Sequence, residues 1–212
     1  MKLAVSTGNQ ALIKQCQYLR GNLRRAGRVA GNARLFSHLA SGQLIEWNPE
    51  NWSYEDIRVL LIEAAMDNSL ISDEPKGVTF GVEEESFSKL PTEGKVRLDK
   101  DLLDQVMNDL LDNAGKYSDP NTHVKIEVSV SKAYFMVTVT NKGLKISSDQ
   151  VPIIKKRGER GALAPLVAGE GSGIGLWIAD EIMKAHGGNL DIMPTTPDRV
   201  TRIRLMFPNT RS

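Results

Sequence analysis

Cysteine is almost missing from this chain: of 212 residues only Cys16 carries a thiol. No internal disulfide can form, and such usage fits a reducing, cytosol-like compartment. Charge of one sign is missing too. Lys and Arg number 27 against 26 Asp and Glu, a formal net charge of +1, which gives no electrostatic case for nucleic acid, where a basic domain is expected. No apolar run approaches the roughly 18 residues of a membrane span, and Lys2 is followed by no apolar core of a secretory leader. No membrane contact is expected of this segment; any span of a larger membrane protein lies outside it. Internal repeats and low-complexity tracts are also absent. What remains, 41% hydrophobic and 25% charged residues, is the composition of a soluble globular protein of one or two domains.

Residues 9 to about 42 read as one long helix, with Ile13, Cys16, Leu19, Leu23, Ala26, Val29, Ala30, Ala33, Leu35, Phe36 and Leu39 near a three-four alternation. Arg20, Arg24, Arg25, Arg28 and Arg34 fall mainly between them. A stripe of that length needs a partner, either a second copy of the helix or the chain's own domain. Gly42 and the run Glu46 to Asn51 break the helix and mark a linker. The division predicted is 1–46, a dimerisation-like helix, and 47–212, the main domain.

Ser53, with Asp56 three residues on, caps a second helix through Ile57, Leu60, Leu61, Ala64 and Ala65. Short strands follow at 77–82 and 95–99, separated by an acidic run, Glu83 to Glu85, that reads as a solvated loop. From Asp99 or Asp101 as cap, a third helix carries Leu103, Val106, Met107, Leu110, Leu111 and Ala114 on one face. At about 100° per residue, Asp109, Asn113 and Lys116 align beside that face. Residues 123–130 and 134–141 alternate strictly and are joined by three residues, an antiparallel hairpin with one buried face. Residues 147–168 lack periodicity and are rich in Lys and Arg, a loop long enough to be functional or mobile. A helix over 173–187 and strands at 189–193 and 199–207 close the chain. One mixed or antiparallel sheet with helices over one face follows: an α+β, two-layer sandwich preceded by a long N-terminal helix.

Glycines at 169, 171, 173 and 175 feed directly into that last helix. A loop without Cβ atoms lets backbone N–H groups approach a ligand, and the positive end of the helix dipole points the same way, so the arrangement attracts phosphate. It is not a Walker loop, since no Lys-Ser/Thr pair follows, nor a dinucleotide fingerprint in its usual place, which opens the first strand-helix unit.

Residues 109–118, Asp-Leu-Leu-Asp-Asn-Ala-Gly-Lys-Tyr-Ser, resemble the N box of sensor histidine kinases, and Gly171-Ser172-Gly173-Ile174-Gly175-Leu176-Trp177-Ile178, followed by His186-Gly187-Gly188, resembles their G2 box. The resemblance covers about 47–208 and implies the Bergerat ATP-binding fold shared with gyrase, MutL and Hsp90. It implies ATP and Mg²⁺ as cofactors, with Asn113 as the Mg²⁺ ligand, Lys116 on phosphate, Tyr117 beside the base, and Asp109 holding Mg²⁺ or orienting a nucleophile. Gly171, Ser172, Gly173, Ile174, Gly175 and Leu176 would form the phosphate loop. Arg157 or Arg160, in a lid spanning 147–168, would reach the γ-phosphate. Asn141 and Gly143 would stand at the adenine.

The G1 pattern Asp-x-Gly-x-Gly-Ile reads Asn141-Lys142-Gly143-Leu144-Lys145-Ile146 here. Asn141 keeps an acceptor for the adenine amino group without the charge that strengthens the bond, and Lys145 replaces a glycine of the lid hinge. The phenylalanine pair of an F box is replaced by Ile153-Ile154-Lys155-Lys156. His38, His123 and His186 lack the acidic residue and proline of an H box, so the phosphoacceptor is expected outside this segment. The implied protein is the catalytic domain of a protein-histidine kinase, homodimeric through the N-terminal helix. It would be cytoplasmic, or the cytoplasmic part of a larger sensor, and its partner would be a response-regulator receiver domain. Two other readings stand beside it: a degenerate kinase-like scaffold or regulator, and a gyrase- or MutL-like ATPase, which would carry Glu at the position of Asp109.

Overall fold

A computed structural model of the chain describes residues 2–71, 76–161 and 172–209. Helix α1 (Lys2–Ala40) starts earlier than its apolar stripe suggested and is followed by a turn at Gly42, whose φ of 78° suits glycine and whose N–H donates to Leu39 O at 3.1 Å. The last turns of the stripe meet the chain's own domain, with Leu35 buried and Phe36 and Leu39 packed beside it. Leu12, Ile13, Leu19 and Leu23 further up are exposed.

After the linker, β1 (Glu50–Ser53) pairs antiparallel with β3 (Lys95–Leu98) in a separate two-stranded sheet. This corrects the single sheet expected. Glu-Asn-Trp-Ser has no alternation to mark it as a strand, and its conformation is set by the partner it pairs with. Helix α2 (Tyr54–Ile71) opens with a reciprocal cap: Asp56 N–H donates to Ser53 Oγ and Ser53 N–H to Asp56 Oδ2, both at 3.1 Å. The acidic run is not all loop. Glu84 and Glu85 open a five-residue helix, α3 (Glu84–Ser88), where negative charge suits the N-terminal end, and both stay solvated.

The main sheet has the order β2-β4-β5-β7-β6, formed by β2 (Thr79–Val82), β4 (His123–Val130), β5 (Tyr134–Lys142), β6 (Asn189–Met193) and β7 (Val200–Pro208). β2 runs parallel to β4 and the other pairs are antiparallel. Alternation puts Val124, Ile126 and Val128 of β4, Phe135, Val137 and Val139 of β5, and Ile203, Leu205 and Phe207 of β7 in the core. Against that face lie α2 through Ile57 and Leu61, α4 (Lys100–Tyr117) through Leu103, Met107, Leu110 and Leu111, and α6 (Gly175–Ala185) through Ile178 and Ile182. The two-layer α+β sandwich is the architecture expected. A single turn, α5 (Val151–Ile154), interrupts the predicted lid, and residues 162–171, which include the rest of that lid, lie outside the described residues.

Candidate functional site

Helix α4 is held at its start by Asp99, whose Oδ1 accepts from the N–H groups of Asp101 (3.0 Å) and Leu102 (3.1 Å). Its apolar face is fully engaged in the core, so the neighbouring stripe of Asp109, Asn113 and Lys116 is carried rigidly. The N-terminus of α6 backs onto this stripe. A Cβ placed on Gly175 would lie 3.8 Å from Asp109 Cγ and 3.9 Å from Asn113 Nδ2, so the helix start and the polar trio share one space. Gly173, at φ 68°, turns the chain into that helix, and a Cβ there would come within 2.8 Å of the Gly158 and Glu159 carbonyls.

Between these elements lies a cavity of about 740 Å³. Asp109, Asn113, Lys116 and Tyr117 form its α4 wall, and Ser172, Gly173, Ile174, Gly175 and Leu176 its glycine wall, with Asn141 and Arg160 also lining it. Two predicted site residues stand elsewhere. Arg157 lies with its guanidinium 4.3 Å from the Phe36 ring centroid and 5.8 Å from that of Trp177, a cation–π stack that ties the predicted lid to α1 and α6. Gly143 does not line the cavity. It bridges to Ser118 and packs so closely on the Tyr117 carbonyl that a Cβ would overlap it, which seats the C-terminal end of α4 on β5. Gly171 falls outside the described residues.

One end of the cavity is charged. Asp109 is 2% exposed. Its Oδ1 accepts from Asn32 Nδ2 at 2.8 Å and from Arg28 Nη1 at 3.3 Å, whereas Oδ2 is buried and accepts no hydrogen bond among the described residues. Burial pushes this carboxyl up to about 6, the bonds from Asn32 and Arg28 pull it down, and Asp112 adds to the rise. Asp112 in turn takes Arg28 at 2.9 Å and Lys116 at 2.5 Å through Oδ2. Beside Asn113, two carboxylates and two cations thus share one cluster, in which Asp109 Oδ2 is the acceptor left without a hydrogen bond among the described residues. No cluster of three His, Cys, Asp or Glu groups suited to a metal occurs among the described residues. Asn113 and Asp109 therefore fit a hard cation only if it brings further oxygen ligands with it.

The other end is an apolar slot walled by Val139, Leu144, Ile146 and Ile203, with Asn141 and Thr201, paired across β5 and β7, set into it. Thr201 Oγ1 is 2.6 Å from Thr195 Oγ1, which accepts from Ile146 N–H at 2.8 Å. Asn141 Nδ2 donates to Ser118 Oγ at 3.3 Å.

Sequence reasoning gave no site role to Arg28, Asn32, Ser118 or Thr201. In sequence the arginine reads as a solvated position between apolar ones; the available signal is that Arg28, Asn32 and Leu35 share one helical face. Thr201 stands in an inward register otherwise filled by Ile203, Leu205 and Phe207. Of the histidines, His186 is buried, its Nε2 accepting from Asp99 N–H at 3.0 Å and its Nδ1 lying 2.8 Å from Ile182 O, and burial lowers its pKa. His123 Nδ1 lies 2.8 Å from Thr79 Oγ1, and His38 is exposed in the last turn of α1.

Residues 98–211 match the family described as histidine kinase-, DNA gyrase B-, and HSP90-like ATPase. The sensor histidine kinase Hik2 of Thermosynechococcus vestitus is 33% identical over 136 residues, covering 64% of this chain and 34% of that protein. The chain thus spans about a third of the length of that relative. Among solved structures, the Acinetobacter baumannii histidine kinase AdeS superposes with a TM-score of 0.60 at 15% identity, covering 89% of this chain and 81% of that one. Full-length ShkA in complex with AMPPNP superposes with a TM-score of 0.61 at 20% identity, covering 90% of this chain and 38% of that one. At these identities the likeness is one of fold. No helix among the described residues is long and apolar enough to cross a membrane.

Proposed function

Because the chain belongs to the family of histidine kinase-, DNA gyrase B- and HSP90-like ATPases, we propose that its cavity binds ATP with Mg²⁺ as the catalytic domain of a two-component sensor histidine kinase. The observation that carries this is the convergence of Asp109, Asn113 and Lys116 with the N-terminus of α6 at one end of a cavity whose other end is an apolar slot. A nucleotide has the same polarity, charged phosphates at one end and a flat heterocycle at the other. ShkA, of like fold, is solved with the ATP analogue AMPPNP.

The phosphates lie along Ser172 to Leu176, where the first N–H groups of α6 face them. Lys116 balances their charge, and Arg160 approaches from the lid side. Asn113, through its amide oxygen, and Asp109, through the Oδ2 that accepts no hydrogen bond among the described residues, would hold the Mg²⁺, which when bound neutralises charge on the phosphates. Tyr117 flanks the ribose and base, and Asn141 reads the base. The γ-phosphoryl leaves ADP for a histidine nitrogen carried on a dimerisation helix outside these residues. Buried His186, with both ring nitrogens engaged, is no acceptor. The exposed Leu12, Ile13, Leu19 and Leu23 of α1 suit a second copy of the helix, so residues 1–46 act as a dimerisation element and 47–212 as the catalytic unit, in the cytoplasm and serving a response-regulator receiver domain.

The departures at Asn141 and Lys145 favour one other reading, a kinase-like scaffold that binds nucleotide without transferring phosphate. Incubation of γ-labelled Mg-ATP with the chain fused to a histidine-bearing dimerisation helix separates the two. Acid-labile, base-stable label on the fusion is expected; binding of Mg-ADP with no label transferred would leave the scaffold.

A further inference from the structure

The inward faces of β5 and β7 change character at one level. Phe135, Val137 and Val139 are followed by Asn141, and Ile203 is preceded by Thr201, its cross-strand partner. Both polar side chains are buried, at 8% and 3% exposure, and both line the apolar slot. Polar groups set into an apolar slot are what give such a pocket its selectivity, since each must find a partner on the ligand or remain unsatisfied.

The two are not equally available. The Thr201 hydroxyl is engaged with Thr195, whose Oγ1 is already fixed by Ile146 N–H. Asn141 Nδ2 donates to Ser118 Oγ, and its Oδ1 takes no bond among the described residues. Ser118 is itself 4% exposed, and its hydroxyl both donates and accepts. If the Asn141 amide turns by half a rotation about its last torsion, Oδ1 takes the place of Nδ2 and the serine hydroxyl donates instead of accepting. The Asn–Ser bond survives in both arrangements, the shape of the side chain is unchanged, and the group offered to the slot switches between an acceptor and a donor.

A purine presents one of two signs at position 6: an amino group that donates, or an oxo group that accepts. A carboxylate at residue 141 offers acceptors alone and would set lone pairs against a 6-oxo group. The amide offers either sign without leaving a buried polar group unmatched. Resting on the nucleotide reading above, we propose that this site takes 6-oxopurine nucleotides as well as adenine nucleotides, with Asn141 and Ser118 as the pair that sets this breadth.

The test is calorimetric titration of the chain with ADP and with IDP in Mg²⁺, a pair that differs at position 6 and in the N1 proton that accompanies the oxo form. The wild-type dissociation constants are expected to agree within about fivefold, the size of a modest difference in one hydrogen bond. Asn141→Asp is expected to favour ADP by more than about twentyfold, as a mismatch at a buried polar group does. Asn141→Val, which has neither donor nor acceptor and tolerates an apolar surround, is expected to weaken both ligands about tenfold while keeping their ratio near one. Wild-type protein that binds ADP and rejects IDP overturns the proposal and leaves the nucleotide reading standing. Affinities unaltered in Asn141→Val overturn the role of Asn141. Binding of neither nucleotide overturns the reading on which the proposal rests.

Discussion

Asp109 is a group the fold carries at a cost, and Asp109→Asn exposes that cost. Its carboxyl is raised from 3.8 to about 6, first by burial, so between those values the folded chain binds a proton that the unfolded chain has released. Stability from this group is therefore fully present below pH 3.8 and lost as pH rises through about 6. The loss is about 3 kcal/mol for a shift of roughly two units at about 1.4 kcal/mol each. The amide in the variant does not titrate, and every other titrating group is common to both proteins. The stability of Asp109→Asn minus that of the wild type should thus climb by about 3 kcal/mol between about pH 3 and about pH 7. A constant offset will be superimposed, because the new amide nitrogen takes the place of the orphaned Oδ2 and Arg28 keeps, among the described residues, only Asp112 as a charged partner. The slope of the difference is the readout. Urea unfolding at closely spaced pH steps measures it. A difference that stays flat, or one that falls with pH, would refute the claim that Asp109 is held charged against its surroundings.

Two further outcomes follow from the same geometry. Asn32→Ala removes the 2.8 Å bond to Asp109 Oδ1 and the partner of Gln105 Nε2. It should lower stability by about 1–2 kcal/mol and raise the Asp109 pKa further, which carboxyl-carbon NMR titration reads directly. Gly173→Ala forces a side chain into positive φ against the Gly158 and Glu159 carbonyls; nucleotide affinity should fall at least about tenfold with loss of the loop conformation, and an unchanged affinity would remove Gly173 from the site.

Wherever physics was local, the sequence could be read. Strict alternation in 123–130 and 134–141 placed β4 and β5 and their buried faces, because a half-buried strand can satisfy its pattern in only one register. Asp99 and Ser53 announced their helices by caps that need nothing beyond three residues. The alignment of Asp109, Asn113 and Lys116 followed from helical geometry, and their meeting with Gly175 from nothing but proximity that glycine permits. What stayed hidden was set by partners distant in the chain. β1 is a strand because β3 lies beside it, and α3 is a helix only five residues long. Arg28 and Asn32 enter the site because α1 packs across α4, 77 residues away for the Asn32–Asp109 bond. Arg157, expected at phosphate, is drawn instead to the faces of Phe36 and Trp177, a stack no spacing rule foretells.

One claim stands above the others: that Asp109, Asn113, Lys116 and the N-terminus of α6 make a site for a metal–nucleotide complex. Calorimetric titration of the chain with ADP, with and without Mg²⁺, in the wild type and in Asn113→Ala, tests it most directly. One-site binding that tightens with Mg²⁺ in the wild type and loses that dependence in Asn113→Ala is the result predicted; absence of heat at millimolar ADP, or a Mg²⁺ effect that survives the loss of Asn113, would contradict it.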